Sequence, residues 1–100
     1  MRTVSNLFKH DGRIYVYLSS RNIGKLFQQN AENEGFTFGD GVKPTEREFD
    51  DIFALKRDWT ICYVGWVGHM AFRHPENVVG EPLVRIDYGK YLAGRDDYVM

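Results

Sequence analysis

The residues best suited to binding chemistry lie in the loop 38–47, FGDGVKPTER, which combines two glycines with two basic side chains. Glycines let the backbone approach a ligand closely, and successive amides in such a loop can form a concavity that binds anions. The loop predicts a nucleotide site built from Asp40, Lys43 and Arg47, in which the two cations neutralise a phosphate. The G-x-x-x-x-G-K-[ST] spacing of a P-loop is absent, so the alternative is a simple connecting turn.

The segment after this loop is acidic and surrounds one aromatic residue with carboxylates. The candidate partner-binding residues are Glu46, Glu48, Phe49, Asp50 and Asp51. Acidic clusters can steer a basic partner into contact, and interfaces favour an aromatic side chain within a polar rim. The segment therefore predicts a partner-binding surface, or else a solvated face.

Metal and catalytic chemistry would have to come from Cys62, His69 and His74. If residues 59–72 form one strand, Cys62 and His69 point to opposite faces, which argues against a zinc site or a Cys-His pair. We expect no metal site, no catalytic residue and no cofactor. An enzyme would become credible if His69, Tyr63 and an acid converged in one cleft.

Aromatic residues on the predicted strands could also stack on single-stranded bases. The candidates are Tyr15, Tyr17, Tyr63 and Trp66. They lack accompanying basic residues, so we expect core packing for Trp66 and partial exposure for Tyr15 or Tyr63. Direct nucleic-acid binding is not expected.

Composition limits the class of protein. A chain of 100 residues with 43% hydrophobic and 15% aromatic content is sufficient for one domain, 1–100. A net charge of -1, from 14 acidic and 13 basic residues, argues against a basic nucleic-acid binder and against a DNA mimic. The single Cys62 and the absence of a signal peptide or of an apolar run of about 18 residues predict a cytoplasmic protein without membrane contact.

The elements that must position these residues follow from local patterns. Two short β-type runs, 3–8 and 13–18, flank Asp11-Gly12 and predict a hairpin. Ser19 or Ser20 begins a helix that ends at Gly35. Its predicted inward residues are Ile23, Leu26, Phe27 and Ala31, with Lys25, Gln28, Gln29, Glu32 and Asn33 on the other side.

The second half of the chain is predicted to be mostly strand. Residues 36–38 form a brief strand, and residues 44–48 form a helical turn in which Thr45 and Glu48 match a capping box. Residues 45–55 could also form a helix with Phe49, Ile52 and Phe53 on one face. We favour a strand at 51–55 that pairs with the uncharged run 59–72, the expected central strand. Residues 83–88 form a final edge strand, and residues 94–100 are expected to fray. The predicted fold class is α+β, a mainly antiparallel sheet of five or six strands with one principal helix packed on one face.

Residues 30–72 contain EGFTFGDG (34–41), PTER (44–47), DIFA (51–54) and GHM (68–70). This combination resembles a family of short uncharacterised proteins carried by phages and integrative elements of Gram-positive gut bacteria. The resemblance implies a mobile-element origin, a setting in which small proteins often block host defences, as anti-CRISPR proteins and nucleotide sponges do.

The expected function is therefore non-enzymatic: a protein that inhibits or sequesters a host defence component, such as a nucleic-acid-guided nuclease. The alternative is a nucleotide-binding protein that uses the loop at 39–47. Pairing of the final edge strand with a second copy would give a homodimer.

Overall fold

The computed structural model describes residues 2–100, which contain a five-stranded sheet in the order β2-β4-β3-β1-β5. The strands are β1 (Arg13–Tyr17), β2 (Thr37–Phe38), β3 (Ile52–Lys56), β4 (Thr60–Tyr63) and β5 (Leu83–Asp87). Three helices accompany them: α1 (Arg21–Asn33), α2 (Gly65–Arg73) and α3 (Tyr88–Leu92). Short 3₁₀ turns occur at Ser5–Lys9, Pro44–Glu46 and Pro75–Asn77.

This architecture confirms the α+β class and the five strands, but it corrects the pairing. Strand β3 runs antiparallel to both β1 and β4, whereas β5 lies parallel to β1 and β2 lies parallel to β4. The sheet is therefore mixed rather than mainly antiparallel. Among residues 2–100 three helices are present where one principal helix was expected: α1 lies between β1 and β2, α2 lies between β4 and β5, and α3 follows β5.

The central strand is β3, and the prediction that residues 59–72 form it was wrong. Residues 52–55 are all buried, as expected for a strand covered on both faces. The uncharged run instead supplies β4 and then α2. Gly65, the first residue of α2, has φ +66, a backbone conformation that residues with a Cβ rarely adopt.

Helix α1 packs its buried side against this sheet. Phe27 lies 5.8 Å from Phe53 and 5.1 Å from Tyr88, measured between ring centroids. The Ser20 hydroxyl accepts a hydrogen bond from the Ile23 amide, which confirms the predicted N-cap. The helix ends before Gly35, as predicted.

Two residues of α1 lie on the opposite side from the one predicted. Leu26 is 48% exposed, while Gln28 is 5% exposed. The buried amide of Gln28 donates to the carbonyls of Pro44 and Arg47, both at 2.9 Å. These bonds compensate for removing the polar group from water. Hydrophobic periodicity alone does not reveal a buried glutamine of this kind.

The predicted N-terminal hairpin is absent. Residues 5–9 form a 3₁₀ turn, because the Glu34 carboxylate accepts hydrogen bonds from the amides of Val4 at 2.7 Å and Ser5 at 2.9 Å. The helical turn near Pro44 and the β3–β4 hairpin are confirmed. The capping box does not form, since the Thr45 hydroxyl donates to Glu32 at 2.6 Å.

Strand β5 is an edge strand of the sheet, as predicted. Residues 94–100, for which fraying was expected, return to this edge. The Met100 amide donates to the Arg85 carbonyl at 2.8 Å, and the Asp87 amide donates to the Tyr98 carbonyl at 2.8 Å. Part of the edge that a second copy could have paired with is therefore occupied by the chain's own C-terminal residues.

Candidate functional site

Two polar side chains of the loop 38–47, Asp40 and Arg47, contact each other, while Lys43 is exposed. The Arg47 guanidinium pairs with the Asp40 carboxylate and lies 4.7 Å from the centre of the Phe38 ring. The hydrogen bond from Arg47 lowers the pKa of Asp40 below its ordinary value. The Gly41 amide donates to the Phe38 carbonyl at 2.8 Å, and the Val42 amide donates to Asp40 Oδ1 at 3.3 Å. The amides of Gly41 and Val42 are thus engaged within the loop.

A groove of about 470 Å³ lies beside this loop, between α1 and residues 45–49. The side chains that give it its chemistry are Arg21, Lys25, Gln29, Arg47, Glu48 and Phe49. Among the predicted ligand-binding residues, Arg47 contributes to the lining. Asp40 does not line the groove, but its carboxylate pairs with Arg47. Lys43 is exposed and does not contribute to the lining.

The groove is held open by a close contact between helix and segment. A Cβ atom on Gly24 would lie only 2.0 Å from Cδ2 of Phe49, so the ring rests directly on the helix backbone. The buried Gln28 amide ties Pro44 and Arg47 to the same helix. The backbones of both walls are thus positioned by packing and hydrogen bonds, while Arg21, Lys25 and Glu48 are exposed side chains.

The acidic segment does not form one continuous surface. Glu46 and Glu48 are exposed, and Glu48 joins Phe49 in the groove lining. Asp50 and Asp51 instead meet His69 of α2. Four of the five predicted partner-binding residues are therefore divided between two neighbouring sites, and Glu46 belongs to neither.

Asp50, Asp51 and His69 form a cluster whose potential ligand atoms all lie within 4.8 Å of one another. His69 Nε2 lies 2.7 Å from Asp51 Oδ1 and 3.9 Å from Asp50 Oδ1. The other ring nitrogen, Nδ1, lies 2.7 Å from the Gly65 carbonyl oxygen. These are the residues that could hold a divalent cation, since two carboxylates and an imidazole are suitable ligands.

In this cluster His69 and Asp51 stabilise each other's charged forms, whereas Asp51 acts against the charge of Asp50. The hydrogen bond to Asp51 and the one to the Gly65 carbonyl raise the pKa of His69. Burial acts to raise the pKa of Asp51, but hydrogen bonds with His69 and Asp50 lower it overall. Burial raises the pKa of Asp50. With an acceptor at each ring nitrogen, the arrangement favours a protonated His69 that pairs with Asp51.

Tyr63 does not complete an acid–base site with this cluster. Its hydroxyl donates to the Glu48 carbonyl at 2.6 Å, and burial raises the pKa of its phenol. Neither His69 nor Tyr63 lines the groove between α1 and residues 45–49. The convergence that would have favoured an enzyme is therefore only partial: His69 meets an acid, but Tyr63 is directed elsewhere.

The outward face of α2 is apolar. Trp66 is 76% exposed and Val67 is 75% exposed, with Met70 one turn further along the helix at 37%. Burial of Trp66 in the core was predicted and is wrong, because residues 65–73 are helical and Gly68 and Phe72 face inward instead. The spacing 66, 67, 70 is the sequence signal that could have indicated an apolar helix face.

This α2 face continues into a second, shallower groove of about 270 Å³. Val67, Met70, Ala71 and Val78 give it an apolar lining, with His74 and Asn77 at its edges. The next residue, Val79, is itself highly exposed. The apolar surface thus extends from α2 onto the segment that leads to β5.

The remaining candidates for base stacking are Tyr15, Tyr17 and Tyr63, which lie on strands of the sheet. Tyr15 and Tyr17 are half-buried, and the Tyr17 ring lies 5.7 Å from that of Phe72. Tyr63 is partly exposed and packs against Phe38 and Phe53 at 5.5 Å and 5.1 Å. They do not form an open row of rings of the kind that stacks bases.

Among residues 2–100, no helix is long and apolar enough to cross a membrane. Comparison with protein-family models, with curated proteins and with solved structures gave no match. A function for this chain therefore has to be sought in the geometry of its own residues.

Proposed function

We propose that this chain is a non-enzymatic protein-binding module that contacts its partner through the outward face of α2. The observation that carries the proposal is the exposure of Trp66, Val67 and Met70 side by side on one helix. Burying a large apolar side chain contributes about 1.5–3 kcal/mol, so three together can support association. Tryptophan and methionine are also enriched where protein interfaces have their apolar centre.

The charge beside this face defines the chemistry of the partner. His69 lies on α2 and contacts Asp51 and Asp50, so the carboxylates of residues 50 and 51 lie next to the apolar face. Both aspartates retain solvent access. An apolar surface edged by basic side chains on the partner would match both features, because opposite potentials speed association and exclude wrong partners.

We further propose that the partner is a component of a host defence system, such as a nucleic-acid-guided nuclease. The support is the resemblance of residues 30–72 to proteins of phages and integrative elements. A basic nucleic-acid channel on such a nuclease would provide the cationic edge that Asp50 and Asp51 require. The proposed contact keeps Asp50 and Asp51 of the acidic surface that the sequence predicts. Its apolar centre is Trp66 on α2 instead of Phe49.

Site-specific photo-crosslinking tests the proposal. A photoreactive amino acid at position 67 should capture a discrete partner from cells that carry defence complexes, identified by mass spectrometry. The same amino acid at Leu26, an exposed apolar position on α1, is the matched control. If both positions capture the same proteins in the same amounts, the α2 face has no special role.

Binding measurements with the captured partner then separate the apolar and acidic contributions. We expect Trp66→Ala to weaken binding at least tenfold and Leu26→Ala to leave it within twofold. Replacing Asp50 and Asp51 with lysine should slow association and reduce its dependence on salt. Unchanged affinity in Trp66→Ala, with the fold intact by circular dichroism, would refute the proposal.

A further inference from the structure

We propose that the groove between α1 and residues 45–49 binds a small phosphorylated molecule of mononucleotide type. Its volume of about 470 Å³ is within the range of small-molecule sites, which extends from about 300 to 1,000 Å³. This site is separate from the α2 face, so it stands or fails independently of the protein-binding function.

The first support is the pair of cations that α1 presents to the groove. Arg21 and Lys25 are four residues apart, which places their Cβ atoms about 5–6 Å apart on one helix face. Both are exposed, and within residues 2–100 neither takes part in an ion pair. Two cations at this spacing can close on one phosphate, with the guanidinium of Arg21 able to donate two parallel hydrogen bonds.

The position of these cations is unfavourable without a ligand. They repel each other, and Arg21 lies in the first turn of the helix, where the helix dipole favours negative charge. The first turn of α1 contains no acidic residue, and the chain has none from residue 21 to residue 31. An anion bound between them would remove both penalties. Local choices that act against stability are expected where a site has been built for function.

The second support is the rigidity of the groove. Gly24 is a poor helix residue, yet the Phe49 ring occupies the space that any Cβ would need. The buried Gln28 amide holds the facing segment through the Pro44 and Arg47 carbonyls. A preformed site loses less conformational freedom when its ligand binds.

The third support is the distribution of chemistry along the groove. Arg47 also lines the groove, but its charge is paired with Asp40, so the two unpaired cations of the described lining are Arg21 and Lys25; Glu48 is the one carboxylate among the lining residues. Phe49 offers an apolar wall suited to a flat ring, and Gln29 offers an amide for hydrogen bonding. The geometry therefore points to a phosphate at Arg21 and Lys25, with an aromatic base toward Phe49.

Isothermal titration calorimetry with AMP, inorganic phosphate and adenosine tests this inference. We expect AMP to bind more tightly than inorganic phosphate, and adenosine to bind at least tenfold more weakly than AMP. Equal affinity for adenosine and AMP would overturn the phosphate assignment. Absence of AMP binding at millimolar concentration would overturn the proposal altogether.

Variants locate the site. Arg21→Ala combined with Lys25→Ala should weaken AMP binding at least tenfold without lowering the melting temperature, because the two cations repel each other. The matched control replaces Arg13 and Lys56 with alanine. These are two exposed cations outside the groove, the first residue of β1 and the last residue of β3. An equal loss in both double variants would show that only general charge attraction is involved and would refute the site. Trp66→Ala should leave AMP binding unchanged, which separates this test from that of the α2 face.

Discussion

The contact between Gly24 and Phe49 allows a mutation whose effect on stability should change sign with its background. In the native protein, Gly24→Ala would place a Cβ 2.0 Å from Cδ2 and 2.1 Å from Cε2 of Phe49. Carbon atoms pack at about 3.5–4.0 Å, so the ring must move by more than an ångström. Overpacking of this kind costs about 1–3 kcal/mol, which outweighs the gain of about 0.8–1.0 kcal/mol from replacing glycine in a helix.

When Phe49 is first replaced by alanine, the obstacle is removed. Gly24→Ala should then increase the free energy of unfolding by about 0.8–1.0 kcal/mol, the full helix-propensity gain. In the native background the same substitution should lower it by up to about 2 kcal/mol, the difference between the two opposing effects. The coupling energy of the double-mutant cycle is therefore about 1–3 kcal/mol, which is the overpacking cost itself.

Urea unfolding followed by circular dichroism measures each corner of this cycle. The control is Gly39→Ala, because a Cβ at Gly39 meets nothing within 4 Å and its effect should be the same in both backgrounds. If Gly24→Ala changes stability equally with and without the Phe49 ring, the ring does not rest on the helix and the groove lacks the wall assigned to it.

Three further predictions concern the His69–Asp51 pair, the buried Tyr88 and the N-cap of α1. Because the hydrogen bond to Asp51 raises the pKa of His69 and lowers that of Asp51, the ion pair stabilises the fold between these two values; the effect is lost as pH rises through the raised His69 pKa and as pH falls through the lowered Asp51 pKa. Asp51→Asn should therefore lower the His69 pKa in an NMR titration, and an unchanged value would contradict the contact. Burial raises the pKa of Tyr88 to about 12, so its ionisation should be missing from an absorbance titration below pH 11 and Tyr88→Phe should leave that curve unchanged. Ser20→Ala should lower the free energy of unfolding by about 1 kcal/mol through loss of the N-cap, while Ser19→Ala, without that bond, should have little effect.

Several local signals in the sequence predicted elements correctly, although the Asp11-Gly12 hairpin and the Thr45 capping box were wrong. The Ser20 cap, the end of α1 before Gly35 and the β3–β4 hairpin all depend on hydrogen bonds and backbone preferences within a few residues. The edge strand β5 was also recognised from its alternation. These features explain why the α+β class could be predicted.

The prediction that residues 59–72 form one strand was wrong because their apolar content fits a buried strand as well as a helix. Apolar periodicity distinguishes the two only when one face is polar. In α2 both faces carry apolar residues, since Phe72 packs inward while Trp66 and Val67 lie in solvent. The exposed apolar residues that support the protein-binding proposal are thus the ones that removed the polar face by which a helix is predicted.

Sequence by itself determined the fold class, the ends of α1 and the clustering of charge at residues 40–51. The tertiary structure decided which of these charges meet and what they face. Arg47 joins Arg21 and Lys25 only because residues 45–49 pack on α1, and Asp51 meets His69 only because α2 returns to β3. Local hydrogen bonds act over a few residues and leave a pattern in the sequence, whereas contacts between distant segments depend on which faces the whole chain buries.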